Sequence, residues 1–236
     1  MAPSITSGPP LPNALLASLS RNLTDRLVPH LSTLPLAQGI VLYEDGDDVD
    51  EVYFPHDGML SLLTVMKGGN AVETATVGRE GVVGAMTGFG LKRSMVRVVV
   101  QLPMTSSKIA ASKFRKLIEA SDELRRVCLR YNEVLLSQAR ITAACNVLHP
   151  IQARFCRWLL QAADRAASDT VPLTQEFLAE MLGVRRTSVT EVARKVQESG
   201  AIKYARGVIQ IVDTTRLRKQ SCECYRTLID QSEELA

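Results

Sequence analysis

Apolar and polar positions alternate in three different ways along this chain. Over residues 13–34, Leu15, Leu16, Leu19, Leu23 and Leu27 recur at helical spacing and predict a helical segment. From 39 to 102 the apolar runs shorten, and each closes on a turn signal. Residues 40–43 end at Asp45-Gly46, 52–54 at His56-Asp57-Gly58, 60–66 at Lys67-Gly68-Gly69-Asn70, and 72–77 at Gly78-Arg79. A valine-rich run, 95–102, follows the segment 80–90. Strands this short and this close predict a β-barrel or a jelly-roll-like sandwich. Helical spacing returns at 111–120. Ser121-Asp122 can then cap a long helix over 121–148.

In that long helix Leu124, Cys128, Tyr131, Leu135, Gln138, Thr142 and Cys145 alternate spacings of four and three. The pattern predicts a heptad-like dimer seam, interrupted where Gln138 and Thr142 are polar. Val127, Val134 and Ile141 would face the roll; the alternative is a helix whose one stripe packs on its own barrel. His149-Pro150 breaks the helical run and marks a hinge. Residues 151–166 resume as an amphipathic helix containing the sole tryptophan, Trp158.

The stretch 173–202, LTQEFLAEMLGVRRTSVTEVARKVQESGAI, reads as two short helices around a glycine turn. Thr174 can cap the first, with Glu176 near the positive end of its dipole. Phe177, Leu178, Met181 and Leu182 supply the buried side, and Gly183 permits the turn. Val189, Val192, Ala193 and Val196 give the second helix an apolar stripe. Its opposite face carries Thr187, Thr190, Glu191 and Arg194, with Arg185 and Arg186 at the N-terminal end. Two short strands, 201–204 and 208–212, flank Arg206-Gly207 and predict a hairpin. Helix, turn, helix and hairpin together make a winged helix, whose second helix can read base edges in a major groove. A small C-terminal helix is expected after Asp213.

Charge sharpens this reading. Residues 171–220 hold nine Lys/Arg against five Asp/Glu, whereas the whole chain is only +3. The excess is confined to the candidate reader, as phosphate contacts require. Composition, 46% apolar and 22% charged, is that of a soluble globular protein. No apolar run approaches a membrane span, and MAPSITSGPPLPN lacks the basic and apolar regions of a secretory signal. A cytoplasmic location is expected. The five scattered cysteines, Cys128, Cys145, Cys156, Cys222 and Cys224, suit a reducing compartment.

A β-roll, long helix, hinge and winged helix in this order resemble the Crp/Fnr superfamily of bacterial transcription regulators, over residues 34–212. The 173–202 motif and the GVIQIV wing carry most of the resemblance; Tyr43-Glu44-Asp45-Gly46 and Phe54-Pro55-His56-Asp57-Gly58 fall at the family's turn positions. The resemblance implies a homodimer on a two-fold symmetric DNA site, with half-sites about 34 Å apart, and RNA polymerase as a partner. The expected architecture is α+β: a flexible arm over 1–12, an N-terminal jelly-roll-like β-roll with flanking helices over 13–120, a dimerisation helix over 121–148 and a C-terminal winged helix-turn-helix over 149–236.

Departures from the family narrow the expectation. Cyclic-AMP-responsive members place a Gly-Glu pair on the ribose and an Arg-Ser pair on the phosphate. Here the stretch containing Gly84, Ala85 and Met86 puts Ala85 where the carboxylate would stand, while Arg93-Ser94 can match the phosphate pair. Losing the acid removes a charge-assisted contact of about 1.5–3 kcal/mol, so cyclic AMP is not the expected effector. No cysteine precedes Cys128, which excludes an iron–sulfur cluster at the family's N-terminal position. His30, His56 and His149 lie in no haem motif. No cofactor is expected.

In the reader, Arg186 can pair with guanine O6 and N7, and Glu191 can accept from cytosine N4 or orient an arginine. Thr187 and Thr190 can touch a thymine methyl, and Arg185 joins them as a base-reading candidate. Thr174, Ser188, Arg194, Lys195, Lys203 and Arg206 are the phosphate candidates. The acidic run 44–51 lacks the spacing of a calcium loop. Cys222-x-Cys224 has no Cys or His nearby in sequence to complete a zinc site, so reduced thiols and no metal are expected. No catalytic triad, Walker loop or dinucleotide fingerprint is present. The competing interpretation is a small-molecule sensor whose winged helix binds protein.

Overall fold

The computed structural model describes residues 11–235. Most of the expected arm, residues 1–10, lies outside them; Leu11 already packs against the core. In chain order the elements are α1 (Ala14–Ala17), α2 (Arg21–Leu27), β1 (Ser32–Leu36), β2 (Val41–Tyr43), β3 (Glu51–Pro55), β4 (Met59–Val65), β5 (Ala71–Val77), β6 (Arg97–Leu102), β7 (Met104–Ala110), α3 (Ala111–Glu119) and α4 (Asp122–Leu148). Then follow α5 (Ile151–Ala166), β8 (Thr170–Pro172), α6 (Gln175–Leu182), α7 (Arg186–Glu198), β9 (Ile202–Ala205), β10 (Val208–Ile211), α8 (Thr214–Gln220) and α9 (Cys224–Leu235).

Two antiparallel sheets, β1-β7-β3 and β2-β6-β4-β5, form the roll. Each sheet buries one face on a core containing Phe54, Leu60, Val77, Val100, Ile109 and Phe114. Phe54 and Phe114 meet edge to face, with centroids 6.1 Å apart. The expected helix over 13–34 ends early. Residues 32–36 pair with Met104–Lys108 as an edge strand, where Pro35 is tolerated because its missing donor faces no neighbour. Strand β7 escapes the hydrophobic pattern because its centre is Ser106 and Ser107, both buried; Ser107 Oγ lies 2.8 Å from His56 Nε2.

The seam expected on α4 for a partner is largely filled within the chain. Leu124, Cys128, Tyr131 and Gln138 are buried against the roll, with Val134 beside them, while Leu135 and Thr142 are half-buried. Gln138 is polar for a reason: its Oε1 accepts the Thr76 N–H at 3.1 Å, on the edge strand β5. Own-barrel packing therefore describes this stripe. Ser121 Oγ caps the helix by accepting from Leu124 N at 3.2 Å.

After the break at His149-Pro150, a second core joins Met59, Leu63, Val99 and Leu102 of the roll to Phe155, Trp158, Leu159, Leu178, Met181 and Val189. The C-terminal region thus rests directly on β4–β6. Two helices, α8 and α9, follow Asp213 where one was expected, and α9 returns to pack along α4.

Candidate nucleic-acid interface and the cavity of the roll

Thr174 Oγ1 accepts from Phe177 N at 3.3 Å and starts α6. Gly183 ends the helix at φ +62°, a conformation costly for any other residue. The chain re-enters helix at Arg186, so α6 and α7 are held at a sharp turn. Leu178, Met181 and Leu182 are buried as the spacing requires, but Phe177 is only half-buried. On α7, Val189, Val192, Ala193 and Val196 face the core.

The opposite face is open. Arg185, Arg186, Thr187, Thr190, Glu191, Arg194 and Lys195 are exposed, with Ser188 half-buried. Thr190 Oγ1 donates to Gln175 Oε1 at 2.8 Å and lies 3.1 Å from the Arg186 carbonyl. The hydroxyl is satisfied within the protein, which leaves the methyl group free for an apolar contact. Glu191 lies 2.9 Å from Lys195 Nζ, and Arg194 lies 2.7 Å from Glu198. The Lys195 ammonium holds the Glu191 carboxyl below its usual range. Exposed pairs of this kind are weak and screened by solvent, so phosphates can displace the acids at little cost.

The predicted hairpin forms, with β8 added on its far side through Ile209 opposite Val171. Three residues are too few for β8 to show in the pattern. Arg206 and Gly207 both have positive φ, +51° and +75°, as a two-residue type I′ turn demands. Arg206 therefore stands at the wing tip, and Lys203 is exposed on β9. Thr174, Gln175, Glu176, Arg186, Tyr204, Arg206 and Gly207 border one open groove between the start of α6, the start of α7 and the wing.

Inside the roll, a cavity of about 550 Å³ is lined by all five candidate effector residues, Gly84, Ala85, Met86, Arg93 and Ser94. Cys128, Tyr131, Asn132 and Leu135 of α4 close it, a contribution hidden by assigning that stripe to a partner. Most other lining is apolar, including Val49, Leu62, Val82 and Val98, and no carboxylate is among the described residues around it. The phosphate pair is not assembled for an anion. The Arg93 side chain is 74% exposed and lies 3.8 Å from Asp48, and Ser94 Oγ donates to the Val96 carbonyl at 2.7 Å.

A roll of cyclic-nucleotide-binding type joined by one long helix to a winged helix is a two-domain sensor–reader class. The profile described as "Cyclic nucleotide-binding domain" matches residues 33–121, and "Crp-like helix-turn-helix domain" matches residues 153–220. The chain belongs to the Crp/Fnr superfamily of transcription regulators. FixK2 from Bradyrhizobium japonicum superposes with a TM-score of 0.69 at 14% identity, over 81% of this chain and 98% of that one. The c-di-GMP-responsive global regulator CLP from Xanthomonas campestris gives 0.67 at 14%, over 81% and 99%. A CRP/FNR-family regulator from Thermus thermophilus gives 0.63 at 20%, over 87% and 100%. At these identities the structures establish the fold. No curated protein sequence matches the chain. Among the described residues no helix is long and apolar enough to cross a membrane.

Proposed function

We propose that the protein is a homodimeric, sequence-specific DNA-binding regulator that acts in the cytoplasm on a two-fold symmetric operator. The carrying observation is the exposed, cation-rich face of α7 opening onto the same groove as the wing. Arg185, Arg186, Thr187, Thr190 and Glu191 read bases, and Thr174, Ser188, Arg194, Lys195, Lys203 and Arg206 bind phosphates. RNA polymerase is the protein partner that family membership suggests.

The dimer seam assigned here is the outward stripe of α4 rather than the stripe packed on the roll. Leu129 and Leu136 are 46% and 41% exposed and lie seven residues apart; Ala143 continues the spacing, and Val147 is exposed beyond it. The effector is a compact, largely apolar molecule. Ala85 offers a ribose no carboxylate, and the largely exposed Arg93 lies beside Asp48, so cyclic AMP is a poor fit.

Selection from a random DNA pool by the ligand-free chain, with a salt titration of the winner, tests the reading. A palindrome with half-sites about one helical turn apart and a steep salt dependence is expected. A folded dimer that enriches nothing, with or without extracts supplying small molecules, rejects it in favour of a protein-binding wing.

A further inference from the structure

Four side chains converge at the hinge. Cys145 and His149 lie one turn apart at the C-terminal end of α4; Cys222 and Cys224 flank Glu223 where α8 passes into α9. Their ligand atoms all lie within 4.8 Å of one another, and the three cysteines are buried. The sequence conceals this set because 73 to 79 residues separate its two halves. We propose that Cys145, His149, Cys222 and Cys224 form a tetrahedral zinc site that ties the end of the long helix to the C-terminal helix.

The distances fit a single ion. With Zn–S near 2.3 Å and Zn–N near 2.05 Å, tetrahedral ligands stand about 3.8 Å apart for S···S and about 3.6 Å for S···N. Cys145 Sγ lies 3.6 Å from Cys222 Sγ, and Cys224 Sγ lies 3.6 Å from His149 Nδ1. A disulfide would need about 2.05 Å, and it would leave the histidine without a purpose in the cluster. A multi-iron cluster would spread its thiolates over separate corners rather than draw all four atoms together.

The surroundings fit as well. His149 Nε2 lies 3.1 Å from Glu223 Oε1, so this nitrogen can carry the proton and donate it to the carboxylate while Nδ1 faces the thiols. A carboxylate behind the histidine is the usual outer partner of a metal-bound imidazole. Three thiolates and one neutral imidazole on a dication carry one net negative charge. Cys224 begins α9, where the positive end of the helix dipole favours a thiolate. Three thiolates with one imidazole select zinc over magnesium or calcium.

The test uses the full chain, purified under reducing conditions. Metal per chain is measured by mass spectrometry, and the metal-stripped protein is titrated with Co²⁺. About one zinc per chain and the visible bands of tetrahedral cobalt–thiolate are expected, both lost in Cys222→Ser. Glu223→Gln, which leaves every ligand in place, should weaken metal affinity 10–100-fold, so the outer shell can be tested even if a cysteine variant misfolds. Wild-type protein that arrives without zinc and gives no cobalt bands overturns the site. So does full metal retention by folded Cys222→Ser.

Discussion

The Trp158 indole N–H donates to Glu73 Oε1 at 2.7 Å, bridging α5 and the roll strand β5. Ser61 Oγ donates to the other carboxylate oxygen, and Glu73 is buried. Burial pushes its carboxyl up to about 7, although Ser61, Trp158, Arg157 and Arg165 all pull the other way. A second pair, Arg165 to Glu80 at 3.1 Å, crosses the same boundary. The two domains of one chain are therefore joined through a carboxyl that titrates near neutrality.

The sign of the pH effect follows. An unfolded glutamate loses its proton near 4.5, whereas Glu73 in the folded chain keeps its proton until about 7. Its contribution is fully present below the ordinary carboxylate range and is lost as pH rises through 7, by on the order of 3 kcal/mol. Glu73→Gln keeps the shape without the titration. Urea unfolding at pH 5.5 and pH 8 should show wild type losing stability relative to this variant; parallel losses would remove Glu73 from the account.

On α4, inward and outward leucines should behave oppositely. Leu124 is fully buried, so Leu124→Ala should cost about 2–5 kcal/mol of chain stability. Leu129 and Leu136 are half open, and Leu129→Glu with Leu136→Glu should leave the fold intact while abolishing the dimer. Sedimentation equilibrium beside thermal unfolding separates the two effects. A dimer that survives the double glutamate variant would place the seam elsewhere.

The turn of the winged helix rests on the roll. A Cβ at Gly183 would meet Val72 Cγ2 at 3.1 Å, and the backbone there is left-handed. Gly183→Ala should cost about 1–2 kcal/mol, most of it backbone strain. In a Val72→Ala background the cost should fall by the share due to contact alone. A penalty identical in both backgrounds would show that strand β5 yields freely to the added methyl.

How far the sequence discloses this structure varies by element. The apolar stripe of α7, the glycine turn and the Arg206-Gly207 hairpin were legible because each has a local signature: spacing of 3.6, positive φ, two turn residues. Strand β7 was not, since buried Ser106 and Ser107 read as surface until their sheet neighbours are known. The α4 stripe was legible as an apolar seam but not as to what covers it. Periodicity reports that a face is buried, never by which chain. The Cys145–His149–Cys222–Cys224 cluster was invisible for the same reason: its halves meet only through the return of α9 along α4.

The reader's own logic predicts two kinds of variant. Arg186 begins α7, exposed, 3.9 Å from Glu176. If its guanidinium grips a guanine, Arg186→Ala should cost about 1–3 kcal/mol on the preferred site and relax preference at one base pair per half-site. Lys203, on the wing strand, has no base within its role; Lys203→Ala should weaken all sequences alike and lower the salt slope by about one per wing. Binding measured on the selected operator, on single-base variants and on random duplex at several salt concentrations distinguishes them. Equal losses on every duplex for Arg186→Ala would make it a phosphate contact and move the base reading to Arg185, Thr187, Thr190 and Glu191.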